Sequence, residues 1–231
     1  MKKRIGHDRL FKELLETFFG EFVELFFPQV YEAIDLEHIK FLQQEVFTDV
    51  TRGDKHRIDI LVETSLKGES GIFLVHVENQ ASAQKDFAER MFIYFSRLYQ
   101  KHRCRVVPIA VFTYPEKRNE PDRFKLAFPF MSVLDFHFLT LELNKHKWQD
   151  YIQSKNPVAA ALLSKMGYQK KERVQVKLEF LRMLVRMELD PARMTLLTGF
   201  FETYLILNEE EERKLEEEMG KVDEKEAKRM I

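Results

Sequence analysis

The alternation of apolar and polar positions predicts a β-hairpin in the second quarter of the chain. Its arms are Arg57–Thr64 and Gly71–Gln80, and each arm has an apolar residue at every second position. Gly68 lies in the connection between them and suits a tight turn. The predicted core-facing positions are Ile58, Ile60, Val62, Phe73, Val75 and Val77.

Polar residues near the open end of this hairpin indicate a chemical site. With the turn centred between Gly68 and Glu69, the residue numbers of opposed pairs sum to 137, so Asp59 faces Glu78. Asp59, Glu78 and Gln80 then lie on the face opposite the apolar positions. Two opposed carboxylates in an apolar sheet repel each other unless a positive charge lies between them. A hard divalent cation with oxygen ligands is the simplest candidate.

Apolar residues at helical and strand spacing predict further elements on both sides of the hairpin. A helix is expected from Asp8 to about Phe27, with Asp8 as its N-cap. The tail 208–231 is expected to be a charged helix or a frayed end. The other predicted elements are strands at 38–50, 106–112 and 133–143, a turn at 49–55, and helices at 84–101, 174–188 and 192–207.

The order of these elements predicts an α/β fold. A hairpin followed by a helix and another strand favours a mixed β-sheet flanked by helices, with an all-helical C-terminal extension. The expected domains are 1–145, 146–207 and the tail 208–231.

Composition limits the classes of function. The formal net charge of the chain is −1, so the overall charge is not that of a typical nucleic-acid-binding protein. Cys104 is the only cysteine, which excludes an intrachain disulfide. No apolar run approaches the roughly 20 residues that a membrane span needs. We therefore expect a cytoplasmic protein that does not bind membranes.

Four phrases of the sequence are similar to a known nuclease family. They are His7–Lys12, Ile58–Val62, Val77–Gln80 and Phe87–Tyr94, and they occur in the family's order. The chain resembles the Rpn/YhgA-like recombination-promoting nucleases, often labelled transposases, of the PD-(D/E)XK superfamily. In that pattern Ile58 replaces the proline and Gln80 replaces the lysine. The resemblance covers roughly residues 5–145.

The resemblance implies a restriction-endonuclease-like fold and a Mg²⁺-dependent endonuclease that cleaves DNA, with Mn²⁺ or Ca²⁺ as alternative ions. Asp59 and Glu78 would bind the metal ion, and the carbonyl of Asn79 is a further candidate ligand. Gln80 would orient the attacking water from the lysine position. The acidic residue of the family's first helix corresponds to Asp8, or alternatively to Glu13. Candidates for phosphate contact or support of the ligands are Lys12, Arg90 and Tyr94.

Several alternatives remain open at the level of sequence. Asp59 and Glu78 fit surface positions at a strand end, and Arg90 fits either a phosphate contact or a bond to the carboxylates of the sheet. The whole domain fits a degenerate nuclease fold that binds DNA without cutting it. It also fits an assembly module that forms a homo-oligomer through its C-terminal helices.

Overall fold

The computed structural model describes residues 7–42, 46–48, 55–57, 60–69, 72–80, 82, 85–116 and 118–221. The chain divides into two compact units. Phe27–Glu142 forms one of them, the sheet unit, whereas Met1–Phe26 and Leu143–Ile231 form the other, the helical unit. The domain limits expected at residues 145 and 207 stay predictions.

The strands of the described part all lie in the sheet unit. They are β1 (Lys40–Phe41), β2 (Val46–Thr48), β3 (Lys55–Arg57), β4 (Ile60–Ser65), β5 (Ile72–Gln80), β6 (Arg105–Phe112), β7 (Arg123–Phe128), β8 (Met131–His137) and β9 (Leu139–Glu142). Five of them form a sheet in the order β1-β4-β5-β6-β9. The sheet is mixed, because β5 pairs antiparallel with β4 and parallel with β6. Two separate antiparallel ribbons consist of β2 with β3 and of β7 with β8.

Two helices accompany the sheet within its own unit, and helices dominate the C-terminal part of the chain, so the predicted α/β class is confirmed. The sheet unit contains α3 (Pro28–Ala33) and α4 (Phe87–His102). The helical unit contains α1 (His7–Thr17), α2 (Phe19–Phe26), α5 (Pro157–Leu162), α6 (Arg173–Met187), α7 (Pro191–Tyr204) and α8 (Glu209–Gly220). Short 3-10 turns occur at Leu36–His38, Leu143–Lys145, Trp148–Asp150, Leu163–Lys165 and Lys170–Glu172. None of the helices in the described ranges has both the length and the apolar character that crossing a bilayer requires.

The register of the predicted hairpin is confirmed where the structure describes it. Ile60 pairs with Val77 and Val62 pairs with Val75, so opposed residue numbers sum to 137. Gly68 lies in the connecting turn with a φ of 77°. A residue with a Cβ atom adopts this left-handed backbone conformation only at a cost in free energy, which glycine avoids.

The Gly68→Ala protein is therefore expected to lose roughly 1–2 kcal/mol of unfolding free energy. Gly199 is a matched control within α7, since a Cβ atom at either glycine meets nothing within 4 Å. Because alanine is the better helix former, Gly199→Ala is expected to gain about 0.5–1 kcal/mol. Urea denaturation measures both changes, and equal effects would contradict the conformational explanation.

Some predicted boundaries are wrong. The helix expected from Asp8 to Phe27 is two helices with a bend at Phe18, although the N–H groups of Phe18 and Phe22 still donate to carbonyls four residues earlier. Gly20 lies two residues beyond the bend and lowers helix propensity there. Since α1 begins at His7, Asp8 lies in its first turn rather than at the N-cap.

The strand expected at 38–50 was also wrong in extent. Residues 36–38 form a 3-10 turn, and the described residues of the range contain strand only in β1 and β2. Residues 43–45 and 49–50 lie outside the described residues, as do 51–54 of the predicted turn. The strand expected at 133–143 is divided between β8, in the separate ribbon, and β9, at the edge of the main sheet. β7 was not predicted from the sequence.

The C-terminal tail begins as a helix. Asn208 caps α8 in a reciprocal arrangement with Glu211: each side chain accepts the other residue's main-chain N–H at 2.9 Å. Lys177 of α6 lies 3.0 Å from Glu212 of α8, and Leu215 is buried. The helical alternative is therefore confirmed for Glu209–Gly220, and residues 222–231 lie outside the described residues.

Candidate functional site

The candidate site lies at the C-terminal end of β5, the central strand of the five-stranded sheet. His76, Glu78 and Gln80 alternate along this strand and therefore share one face. All three are buried, with His76 fully covered and Glu78 and Gln80 each 5% exposed. On the opposite face Val75 and Val77 are fully buried, as predicted. A carboxylate in such a position requires compensating partners, because burial of an isolated charge is costly.

Two basic side chains approach the carboxylate of Glu78. His76 Nε2 lies 3.3 Å from Glu78 Oε2, and an Arg90 Nη2 lies 3.9 Å from Glu78 Oε1. An ionised carboxylate only accepts hydrogen bonds, so the first contact requires the proton on His76 Nε2. The Glu78 carboxylate has about four acceptor positions, and among the described residues only His76 forms a hydrogen bond to it.

Arg90 connects α4 to the end of β5. It donates a hydrogen bond of 2.5 Å to Gln80 Oε1, and its guanidinium carbon lies 5.2 Å from the centroid of the Phe87 ring. Gln80 Nε2 in turn donates to the carbonyl of Ser82. Both ends of the Gln80 amide are therefore engaged within the protein, and Gln80 holds the guanidinium beside Glu78.

Tyr94 supports the same face from the next turn of α4. Its side chain is buried, and its ring meets the His76 ring edge-on with the centroids 5.6 Å apart. Tyr94 follows Arg90 by four residues, so both side chains lie on neighbouring parts of one helix surface. The Arg90 side chain is only 16% exposed. The bond to the sheet, one of the two alternatives for Arg90, is present in the structure.

Other predicted site residues lie elsewhere or outside the description. Asp59 lies outside the described residues, and so does the side chain of Asp8, whose backbone lies in α1. Lys12 is in the helical unit and lies 3.4 Å from Glu16 on the same helix. Glu13 is an exposed residue of that helix. Their roles stay predictions.

Asn79 lies between Glu78 and Gln80 on β5, opposite Val111 of β6. Its side chain points to the other face of the sheet because side chains alternate along a strand. The group of Asn79 that remains a candidate metal ligand is its main-chain carbonyl, and this role stays a prediction.

The donor set fits one part of a Mg²⁺ site. Within the described ranges, no three His, Cys, Asp or Glu side chains are grouped so that they could hold a metal ion. Mg²⁺, however, usually takes only one or two protein carboxylates and completes its coordination with waters and substrate phosphate. Glu78 supplies one buried carboxylate with acceptor positions remaining, and the second ligand proposed for it is Asp59. His76 Nδ1, also buried, has no hydrogen-bond partner among the described residues.

The position of His76 in the sequence allows a support for the site or, as the favoured alternative, an ordinary packed histidine. The structure shows both features, since His76 is fully buried and its Nε2 contacts Glu78. The available signal was the spacing His76-x-Glu78, which places both side chains on one face of a strand.

Comparisons with known proteins bear on this site. A family model described as "Putative transposase, YhgA-like" matches residues 5–190. The match extends beyond the resemblance noted at residues 5–145 and includes α5 and α6. No curated protein and no solved structure is similar enough to the chain to count as a match. Because the family model covers most of the 231 residues, the chain belongs to the YhgA-like family.

Proposed function

We propose that this protein is a divalent-cation-dependent endonuclease of the restriction-endonuclease-like type that hydrolyses phosphodiester bonds in DNA, acting in recombination or in the movement of mobile elements. Membership of the YhgA-like family supports the biological context. The observation that supports the chemistry best is the buried carboxylate of Glu78 at the end of a central strand. Ile60, the residue after Asp59, pairs with Val77, the residue before Glu78.

Asp59 and Glu78 would hold Mg²⁺, with the carbonyl of Asn79 as a further oxygen ligand and Mn²⁺ or Ca²⁺ as alternative ions. Such an ion supplies charge neutralisation at the phosphoryl oxygens and lowers the pKa of water. Glu78 is held in place by His76, and the apolar face beneath it fixes the strand. This chain therefore contributes a rigid anionic group at the end of β5, which is what ordered binding of a cation requires.

The lysine of the superfamily pattern is absent, and Arg90 is proposed to supply its positive charge. Gln80 binds Arg90 and keeps the guanidinium 3.9 Å from Glu78. A guanidinium at this distance from the carboxylate can contact the scissile phosphate or a water bound beside it. The Gln80 amide retains one donor hydrogen and one acceptor position with which to orient a water.

Substitution of Arg90 tests whether a cation can bind at Glu78 and replace the positive charge of the guanidinium. The Arg90→Ala protein is expected to lose about 1–3 kcal/mol of unfolding free energy, because the buried carboxylate loses its nearby cation. Mg²⁺ is expected to restore part of this loss, which denaturation with and without the ion would measure. Lys12→Ala serves as a control, since Lys12 pairs with Glu16 at a partly exposed position. A loss that Mg²⁺ leaves unchanged would argue against a cation at Glu78.

Incubation of the purified protein with supercoiled plasmid tests the proposal. We expect nicking or linearisation in Mg²⁺ or Mn²⁺, none in a chelator, and loss of cleavage in the Asp59→Asn protein. Cleavage that persists unchanged in Asp59→Asn would remove the proposed site from the reaction.

A second function is favoured by one observation at the same site. Arg90 already lies beside Glu78, and the lysine position is a glutamine whose amide is engaged at both ends. This arrangement suits a nuclease-like domain that binds DNA without cutting it. Salt-sensitive DNA binding with no cleavage in any divalent cation would establish this alternative, and Arg90→Ala would then weaken binding.

A further inference from the structure

The ribbon of β7 and β8 ends in an exposed apolar tip, residues 126–133. Of the eight exposed large apolar side chains in the described part of the chain, five belong to this tip. Phe130 is 83% exposed and Phe128 is 57% exposed, and their rings stack with centroids 5.5 Å apart. The other members are Leu126, Met131 and Val133. Monomeric proteins rarely expose a concentrated apolar surface unless it binds something.

The base of the ribbon is fixed on α4, so the tip is held in place. Phe124 stacks on Phe92 with ring centroids 5.5 Å apart, and the ring centroids of Phe136 and Phe95 are 5.0 Å apart. Toward the tip the pairing shifts, because Leu126 pairs with Leu134 and Ala127 pairs with Ser132. Val133 is the extra residue of this bulge, which increases the local twist.

The charge pattern distinguishes between a nucleic acid and a protein as the partner of the tip. Residues 126–134 contain no Asp, Glu, Lys or Arg. Binding of a nucleic acid depends on cations that contact phosphates, and the tip offers none. A residue that lies on a two-fold axis meets its own copy, so a charged residue at that position would face a like charge. An uncharged stretch is therefore compatible with self-association and unsuited to phosphate contact.

The size of the tip is also consistent with a second copy. Five large side chains, which are 46–83% exposed, could bury, in two copies together, roughly 1,000 Å² of surface. This is near the lower limit for a specific protein interface. An interface of this size predicts a dimer that dissociates on dilution.

We propose that the apolar tip 126–133 of the β7–β8 ribbon binds the same tip of a second copy of this chain, and that the protein is a two-fold symmetric dimer. This interface differs from the C-terminal helices, whose role in assembly stays a prediction. The dimer forms whether or not the site on β5 cleaves DNA. If it does cleave, two sites act within one particle.

Sedimentation velocity of the full chain over a range of concentrations tests the interface. The wild-type protein is expected to be a dimer at high concentration, and Phe130→Ser is expected to weaken the dimer by at least about thirtyfold. Ile206→Ser is the matched control, because Ile206 is 72% exposed and lies in the helical unit. It is expected to dimerise like the wild type.

Hydrogen–deuterium exchange of the wild-type protein provides a second measurement that needs no variant. Amides in 126–133 are expected to exchange faster on dilution, while those of β5 do not change. A wild-type monomer at every concentration, a Phe130→Ser dimer of unchanged affinity, or equal weakening by Ile206→Ser would each overturn the proposal. Loss of DNA binding in a monomeric Phe130→Ser protein, with a monomeric wild type, would assign the tip to nucleic acid instead.

Discussion

The Glu78→Gln protein is expected to lose metal-dependent DNA cleavage by at least about 100-fold while it keeps its fold. Partners that merely orient a metal ligand typically contribute 10–100-fold to metal affinity or activity, so loss of a ligand itself should cost no less than the upper part of that range. Glutamine nearly matches glutamate in shape, so no cavity forms. The substitution also removes a buried charge, which need not destabilise the fold. The rate of plasmid nicking at fixed Mg²⁺ measures the effect.

Glu179→Gln is the matched control for this substitution. Glu179 is also a buried glutamate, 8% exposed, and it accepts a 2.6 Å hydrogen bond from Arg182 in the helical unit. We expect it to cleave DNA at the wild-type rate. Mg²⁺ should raise the unfolding temperature of wild-type protein and of Glu179→Gln, but not of Glu78→Gln, because only a state that binds the ion is stabilised by it. Equal cleavage by Glu78→Gln and wild type would exclude Glu78 from the reaction.

The Phe200→Ala protein is expected to lose about 3–5 kcal/mol of unfolding free energy. Phe200 of α7 is fully buried, and its ring centroid lies 6.2 Å from that of Phe11 in α1. Truncation removes the transfer free energy of a buried ring and leaves a cavity that the surrounding helices fill only in part. Urea denaturation followed by circular dichroism measures the loss.

Ile206→Ala is the control for this prediction, because its exposed side chain should change stability by no more than about 0.5 kcal/mol. Combining Phe11→Ala with Phe200→Ala should show a coupling of roughly 0.5–1.5 kcal/mol, the value expected for aromatic rings in contact. Additive losses of unfolding free energy would mean that the Phe11 and Phe200 rings do not stabilise each other, which would contradict the packing of α1 against α7 in the helical unit.

The parts of the fold that sequence reasoning obtained are those in which local chemistry is sufficient. The register of β4 with β5 follows from Gly68 at the turn and from apolar positions that can face the core in one register only. β7 could have been found in the same way, since Phe124, Leu126 and Phe128 alternate with other residues. The polar residues that precede β7 made this alternation harder to recognise.

The parts that were missed depend on contacts between distant residues. Apolar spacing in α1 shows that Phe11 is buried but not that its neighbour is Phe200, nearly 190 residues away. The structure groups this helix with those after residue 142 in the helical unit, a grouping that apolar spacing does not specify. The family match, residues 5–190, includes α5 and α6, so helices that follow the sheet in the chain lie within the matched region.

The candidate site was predictable in composition and not in its internal bonds. Glu78 and Gln80 on one face follow from strand periodicity. A bond from Arg90 to the sheet was one of two alternatives left open by the sequence, because helical periodicity does not specify how α4 packs against the sheet. The pairing of His76 with Glu78 likewise depends on side-chain conformations that spacing does not specify.

A crystal structure of the protein soaked in Mn²⁺ or Mg²⁺ tests the central claim most directly. We predict one ion at the end of β5, bound by carboxylate oxygens of both Asp59 and Glu78, at about 2.0–2.1 Å in the case of Mg²⁺. Carboxylates that point to opposite faces of the sheet, or an ion that binds elsewhere while Glu78 keeps only His76 and Arg90 as neighbours, would contradict it.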